Sequence, residues 1–193
     1  MELYKMNEYG EINLNDSQWK EKLTKLINQG ENIIFPIKCS GKFINKTLTP
    51  TLIVSGFNEN KEQIVKNTLN FISENFNEIY ENMLKSLVKS FKNWDIYDSN
   101  TEENYYVRTK EDLDRMRYDG NFINTIIINC NELEDGFAYY SFKFQFNYCR
   151  FGFDDGIEAV MYKDKVIFWA DGNTMEYIYS FKEILESGNH YLL

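Results

Sequence analysis

Between residues 61 and 92, apolar side chains recur three and four positions apart with no Gly or Pro to interrupt them. Ile64, Val65, Leu69, Ile72, Phe76, Ile79, Met83, Leu84, Leu87 and Phe91 carry the pattern. That spacing lines one face of a helix. Asn60 stands where a cap would, and Gln63 is placed to reach back to the cap's own N–H. A continuous helix here would be roughly 48 Å long, longer than a small domain is wide. It must either break, near residues 73–77, or lie across a broad sheet. Its polar face mixes both signs, whereas a membrane-surface helix carries a basic one.

Material for such a sheet follows the stripe. Residues 137–150 alternate, with Ala138, Tyr140, Phe142, Phe144, Phe146 and Tyr148 on one side. Tyr139, Ser141, Lys143, Gln145 and Asn147 take the other, which predicts an antiparallel strand with one buried and one wet face. Residues 157–162 and 165–170 read as a hairpin turning at Lys163-Asp164. Residues 32–39 and 48–57 read as strands, with Pro36 marking a sheet edge because proline cannot donate to a ladder. Residues 98–104 read as a loop. Thr109 and Ser180 each open a capping-box pattern and a short helix. Residues 16–28 stay open: Trp19, Leu23, Leu26 and Ile27 fit a helix after a cap at Asp16, or a strand turning at Asn28-Gln29-Gly30. The order of elements is α+β, a single domain over residues 1–193, with one long amphipathic helix packed on a mostly antiparallel sheet.

The chain is 193 residues long with 15 Phe, 14 Tyr and 3 Trp, ample area for a core. Its longest apolar runs, such as Ile126-Ile127-Ile128, fall far short of the ~20 residues that span a membrane. The net charge of −9 is concentrated at one end, since residues 98–193 hold nine Lys/Arg against eighteen Asp/Glu. Such a field repels nucleic acid and attracts a basic protein; it also simply keeps a surface soluble. Cys39, Cys130 and Cys149 are unclustered and lie in strand-like runs, as buried thiols do. With no apolar leader in the opening residues, they point to the cytoplasm.

No common catalytic signature is present. The single histidine, His190, lies four residues from the end, on what reads as a tail and a poor platform for a base. We nominate no catalytic residue, metal ligand or cofactor. Carboxylates remain. Glu132, Glu134 and Asp135 precede the alternating strand and could join Asp164 at the hairpin tip. Asp154 and Asp155 lie at the other end, with Asp171 closing the last hairpin strand. The second group, with Glu158, could also be an acid/base pair or a divalent-cation site, or a solvated turn.

The run Cys149-Arg150-Phe151-Gly152-Phe153-Asp154-Asp155-Gly156-Ile157-Glu158-Ala159-Val160 resembles a family of uncharacterised bacterial proteins. These are small, acidic and cytoplasmic, and some look like immunity proteins of polymorphic toxin systems. The likeness covers residues 149–172 and the long helix before them. Asp155 stands where the family most often has a histidine, and Glu158-Ala159 replaces its glycine-rich continuation. The resemblance favours the strand-hairpin reading of residues 19–39 and carries no catalytic residue. Together with the charge it implies a non-enzymatic protein that docks an acidic surface on a basic partner, possible contacts being Glu132, Glu134, Asp135 and Asp164, or Asp154, Asp155 and Asp171. The alternatives are a carboxylate- or metal-dependent enzyme, which would need the second cluster to converge, and a structural or regulatory subunit. No nucleic acid or membrane is expected as partner.

Overall fold

The computed structural model describes residues 10–39, 47–90, 95–98, 103–106, 123–144, 157–171 and 190–192. The expected helix is there without a break. After a 3-10 turn at Glu59–Lys61, helix α2 runs from Glu62–Ser90, about 43 Å at the usual rise. Its cap differs from the one expected. Asn58, two residues before Asn60, accepts the Asn60 N–H at 3.1 Å and starts the 3-10 turn. Gln63 turns forward instead of back, donating to Asn67 Oδ1 at 2.8 Å. Most of the stripe is buried: Val65, Leu69, Ile72, Ile79 and Met83 are all inaccessible to solvent, Ile64 is half-buried, and Phe91 lies outside the described residues.

Residues 19–29 are helical, which corrects the strand-hairpin reading that the family resemblance favoured. Helix α1, Trp19–Gln29, buries Trp19, Leu23 and Leu26 on one face. Gly30 ends it in the left-handed conformation at φ 67°, its N–H on Ile27 O and the Glu31 N–H on Leu26 O. This is Schellman pairing, and it favours a residue without a Cβ. Asp16 does not cap the helix itself; its carboxylate takes the Gln18 N–H one turn earlier.

Strands β1 (Gly10–Glu11), β2 (Ile33–Ile34), β5 (Thr51–Ser55), β8 (Ile123–Glu134), β9 (Phe137–Phe144), β10 (Ile157–Tyr162), β11 (Lys165–Asp171) and β12 (His190–Leu192) form one sheet in that order. Strands β3 (Ile37–Lys38) and β4 (Thr47–Leu48) form one ribbon, β6 (Asp95–Asp98) and β7 (Glu103–Tyr106) another. The fold is therefore α+β with a mostly antiparallel sheet, as expected. Among the described residues parallel pairing occurs twice, at β1–β2 across α1 and at β5–β8 beyond α2.

The two prolines explain an unexpected division. Ile33 pairs Leu52, Ile34 pairs Thr51, Ile37 pairs Leu48 and Lys38 pairs Thr47. One hairpin register thus runs through β2–β5 and β3–β4. It is interrupted where Pro36 faces Thr49 and Pro50 faces Phe35, because neither proline has an N–H to give. The Phe35 N–H still reaches Pro50 O at 3.1 Å. Pro36 therefore marks a gap in a hairpin, not a sheet edge.

Two further expectations are corrected. The 98–104 loop is bounded by β6 and β7, in which Asp98 pairs Glu103. His190 does not lie on a loose tail; it opens the edge strand β12 opposite Ala170. The short helices expected after Thr109 and Ser180 lie outside the described residues, as do residues 145–150 of the alternating strand.

Alternation along β9 holds, but its second face is not wet at the centre. Ile126, Phe142, Ala159 and Trp169 form one row across the register, in the core shared with α2. Ile127, Ser141, Val160 and Phe168 form the next row, facing the other way, and all four are at most 1% exposed. The sheet centre is buried on both faces.

Candidate functional site

The geometry that stands out is the sheet end where β8 turns into β9 and β10 into β11. Each connection is two residues long. Asp135 and Gly136 have φ of 48° and 78°, the paired positive values of a type I′ hairpin, for which Asp-Gly is a favoured dipeptide. At the second turn Lys163 has φ 50°, a conformation that costs a side-chain-bearing residue free energy and must be held by its surroundings. The Tyr140 hydroxyl holds it, donating to Lys163 O from inside the core. Burial, with a smaller contribution from Asp164, pushes the Tyr140 hydroxyl far above its ordinary range, so it stays a donor.

Helix α2 fastens both turns. Asn67 Nδ2 donates to Gly136 O at 3.3 Å and Asn82 Nδ2 to Asp164 O at 3.0 Å. Between them, Thr68 Oγ1 accepts the Ala138 N–H at 3.0 Å. The turns are also tied to one another. Tyr162 Oη donates to Glu134 O at 2.9 Å, Tyr139 Oη donates to the Glu134 carboxylate, and the two rings lie 4.7 Å apart. Lys163 Nζ sits 4.8 Å from the Phe137 ring centre and 5.3 Å from that of Tyr162, within reach of cation–π attraction. Leu133, 42% exposed, is the register partner of Ala138, one residue before Glu134 and on the other face of the ribbon.

Of the expected contacts, the structure brings Glu134, Asp135 and Asp164 to this one end. Glu132 lies in β8 just before them, its side chain outside the described residues. Lys163 and Lys165 stand among these carboxylates, so the end is a mixed-charge aromatic surface more than a plain acidic one. Asp171 lies at the far end of β11, paired with Ile157, while Asp154 and Asp155 fall outside the described residues. Glu158 is fully buried within β10, its register partner on β9 being Lys143. Among the described residues no group of three His, Cys, Asp or Glu is placed to hold a metal ion. No described helix is long and apolar enough to cross a membrane.

Sequence reasoning missed Leu133, Tyr139, Tyr162 and Lys163. The Asp135-Gly136 dipeptide was the available signal, since it defines a tight turn and hence which side chains stand at its rim. The Tyr139–Tyr162 pairing depends on strand register, which no local pattern announces. No family model, curated protein or solved structure matches the chain.

Proposed function

We propose that this chain is a non-enzymatic protein-binding protein whose docking surface is the β8–β9 and β10–β11 turn end. The partner is a basic protein, and the role is that of an immunity protein neutralising a toxin in the cytoplasm. One observation carries the reading: two tight turns, pinned to each other through Tyr162 and Glu134, present a pair of tyrosines in ring contact and three carboxylates together, with an exposed leucine one residue before them. Aromatic side chains held in place lose little entropy on binding, and interface hot spots are rich in them. The carboxylates would speed encounter with a positively charged partner and make it salt-dependent. Neutralisation would then be occlusion of the partner's working surface.

The test is affinity capture from the native lysate with the wild-type chain and with a Glu134→Lys, Asp135→Lys, Asp164→Lys variant. A single basic protein retained by the wild type at low salt, released at high salt and not retained by the folded variant supports the reading. Equal capture by both chains moves the interface elsewhere. Capture of nothing basic removes the reading.

A further inference from the structure

We propose a second, small-molecule site at the carboxyl ends of the parallel strands β1 and β2, one that takes a zwitterionic ligand with an apolar side chain. It goes beyond the protein-binding reading and shares no residue with the turn end. A cavity of about 350 Å³ opens there, at the lower end of the roughly 300–1,000 Å³ typical of ligand sites. Its position follows from topology. The segments that follow the two strands, residues 12–15 and residues 35, 36 and 38, line it. Here β1 and β2 are adjacent and parallel across α1, and just beyond β2 the hairpin ladder is interrupted at Pro36.

The lining separates into two chemistries. Leu14 and Pro36, both half-buried, supply its accessible apolar surface, over Ile12 and Phe35, which are core residues at 1% and 3% exposed. Glu11, Lys38, Asn70 and Ser73 also line it. None of these four side chains is hydrogen-bonded or ion-paired to another described residue. One carboxylate, one ammonium, an amide and a hydroxyl are thus left around an apolar floor. A ligand that answers all of them carries an ammonium for Glu11, a carboxylate for Lys38 and an apolar group for Leu14 and Pro36. An apolar α-amino acid or a short apolar peptide with both termini free has that chemistry.

The experiment is a thermal-unfolding and calorimetric titration of the full chain with L-leucine, with the dipeptide Leu-Leu and with N-acetyl-leucinamide. The last keeps the side chain but neither charge. A zwitterion that binds the native state raises the unfolding midpoint in proportion to the logarithm of its concentration. Midpoint shifts with L-leucine or Leu-Leu, and none with the capped compound, are expected; which of the two binds more tightly separates free amino acid from peptide. Glu11→Gln and Lys38→Met remove exposed charges that have no ion-pair partner among the described residues, and should leave the ligand-free midpoint unchanged. Each should weaken binding about ten- to a hundredfold, as loss of a hydrogen bond to a charged group does. Absence of any shift with both zwitterions overturns the proposal. So does equal binding of the capped compound, or affinity unchanged in both variants.

Discussion

At the scale of single residues, burial decides which groups keep their ordinary chemistry. Cys130 is fully inaccessible, and burial pushes its thiol up to about 11. Thiol reagents act on the thiolate, so Cys130 should resist iodoacetamide at pH 8 in the native protein and react once the chain is unfolded in denaturant. Peptide mapping by mass spectrometry reads this directly, and rapid native labelling of Cys130 would contradict the structure. Asp16 shows the opposite case. The Lys22 ammonium and then the Gln18 N–H hold its carboxyl below the usual range. The folded state therefore favours the ionised form. The associated stabilisation is present above the carboxyl's ordinary value and is lost as pH falls through the lower, folded one. In an NMR titration, Lys22→Ala should move the Asp16 midpoint upward, toward the ordinary value.

Elements are held by a few side chains whose loss has a definite cost. Leu69 is fully buried in the first half of α2; Leu69→Ala should destabilise the protein by about 2–5 kcal/mol, the transfer and cavity cost of such a truncation. Thr68 does a different job on the same helix, since it accepts the Ala138 N–H. Thr68→Val keeps the shape and leaves that buried donor unpaired, at about 1–3 kcal/mol. Denaturant unfolding monitored by tryptophan fluorescence measures both, and a Thr68→Val change near zero would mean the β9 amide finds another acceptor. The helix that sequence periodicity predicts is thus also a clamp. Its polar face carries Asn67, Asn82 and Ser86 to Gly136, Asp164 and the Trp169 indole.

For the molecule as a whole, the sheet buried on both faces sets the order in which structure is lost. Amides of Ile127, Ser141 and Val160 sit at the centre of β8, β9 and β10, while β1 is a two-residue edge strand. Exchange at the centre requires global opening, and exchange at an edge does not. Native-state hydrogen exchange should find the three central amides slowest and those of Gly10 and Glu11 fast. Comparable rates would show that the sheet does not open as one cooperative unit.

Local pattern alone was enough to determine the long helix, the alternation of β9, the β10–β11 hairpin and the α+β class. Each rests on a periodicity of 3.6 or 2 that neighbouring residues impose on one another. The Ile126-Ile127-Ile128 run even carried the signal for burial on both faces, because an unbroken β-branched run leaves no side for water. Cap positions were misread at Asn60 and Asp16, since several nearby side chains can serve an end and packing chooses among them. Tertiary structure alone decided the rest. It placed His190 in a strand, interrupted one hairpin at Pro36 and Pro50 on its two arms, and set Tyr162 beside Tyr139. Those outcomes depend on which strands pair and in what register, and register is fixed by contacts between residues far apart in the chain. The candidate docking surface and the cavity beyond β2 both belong to that second category.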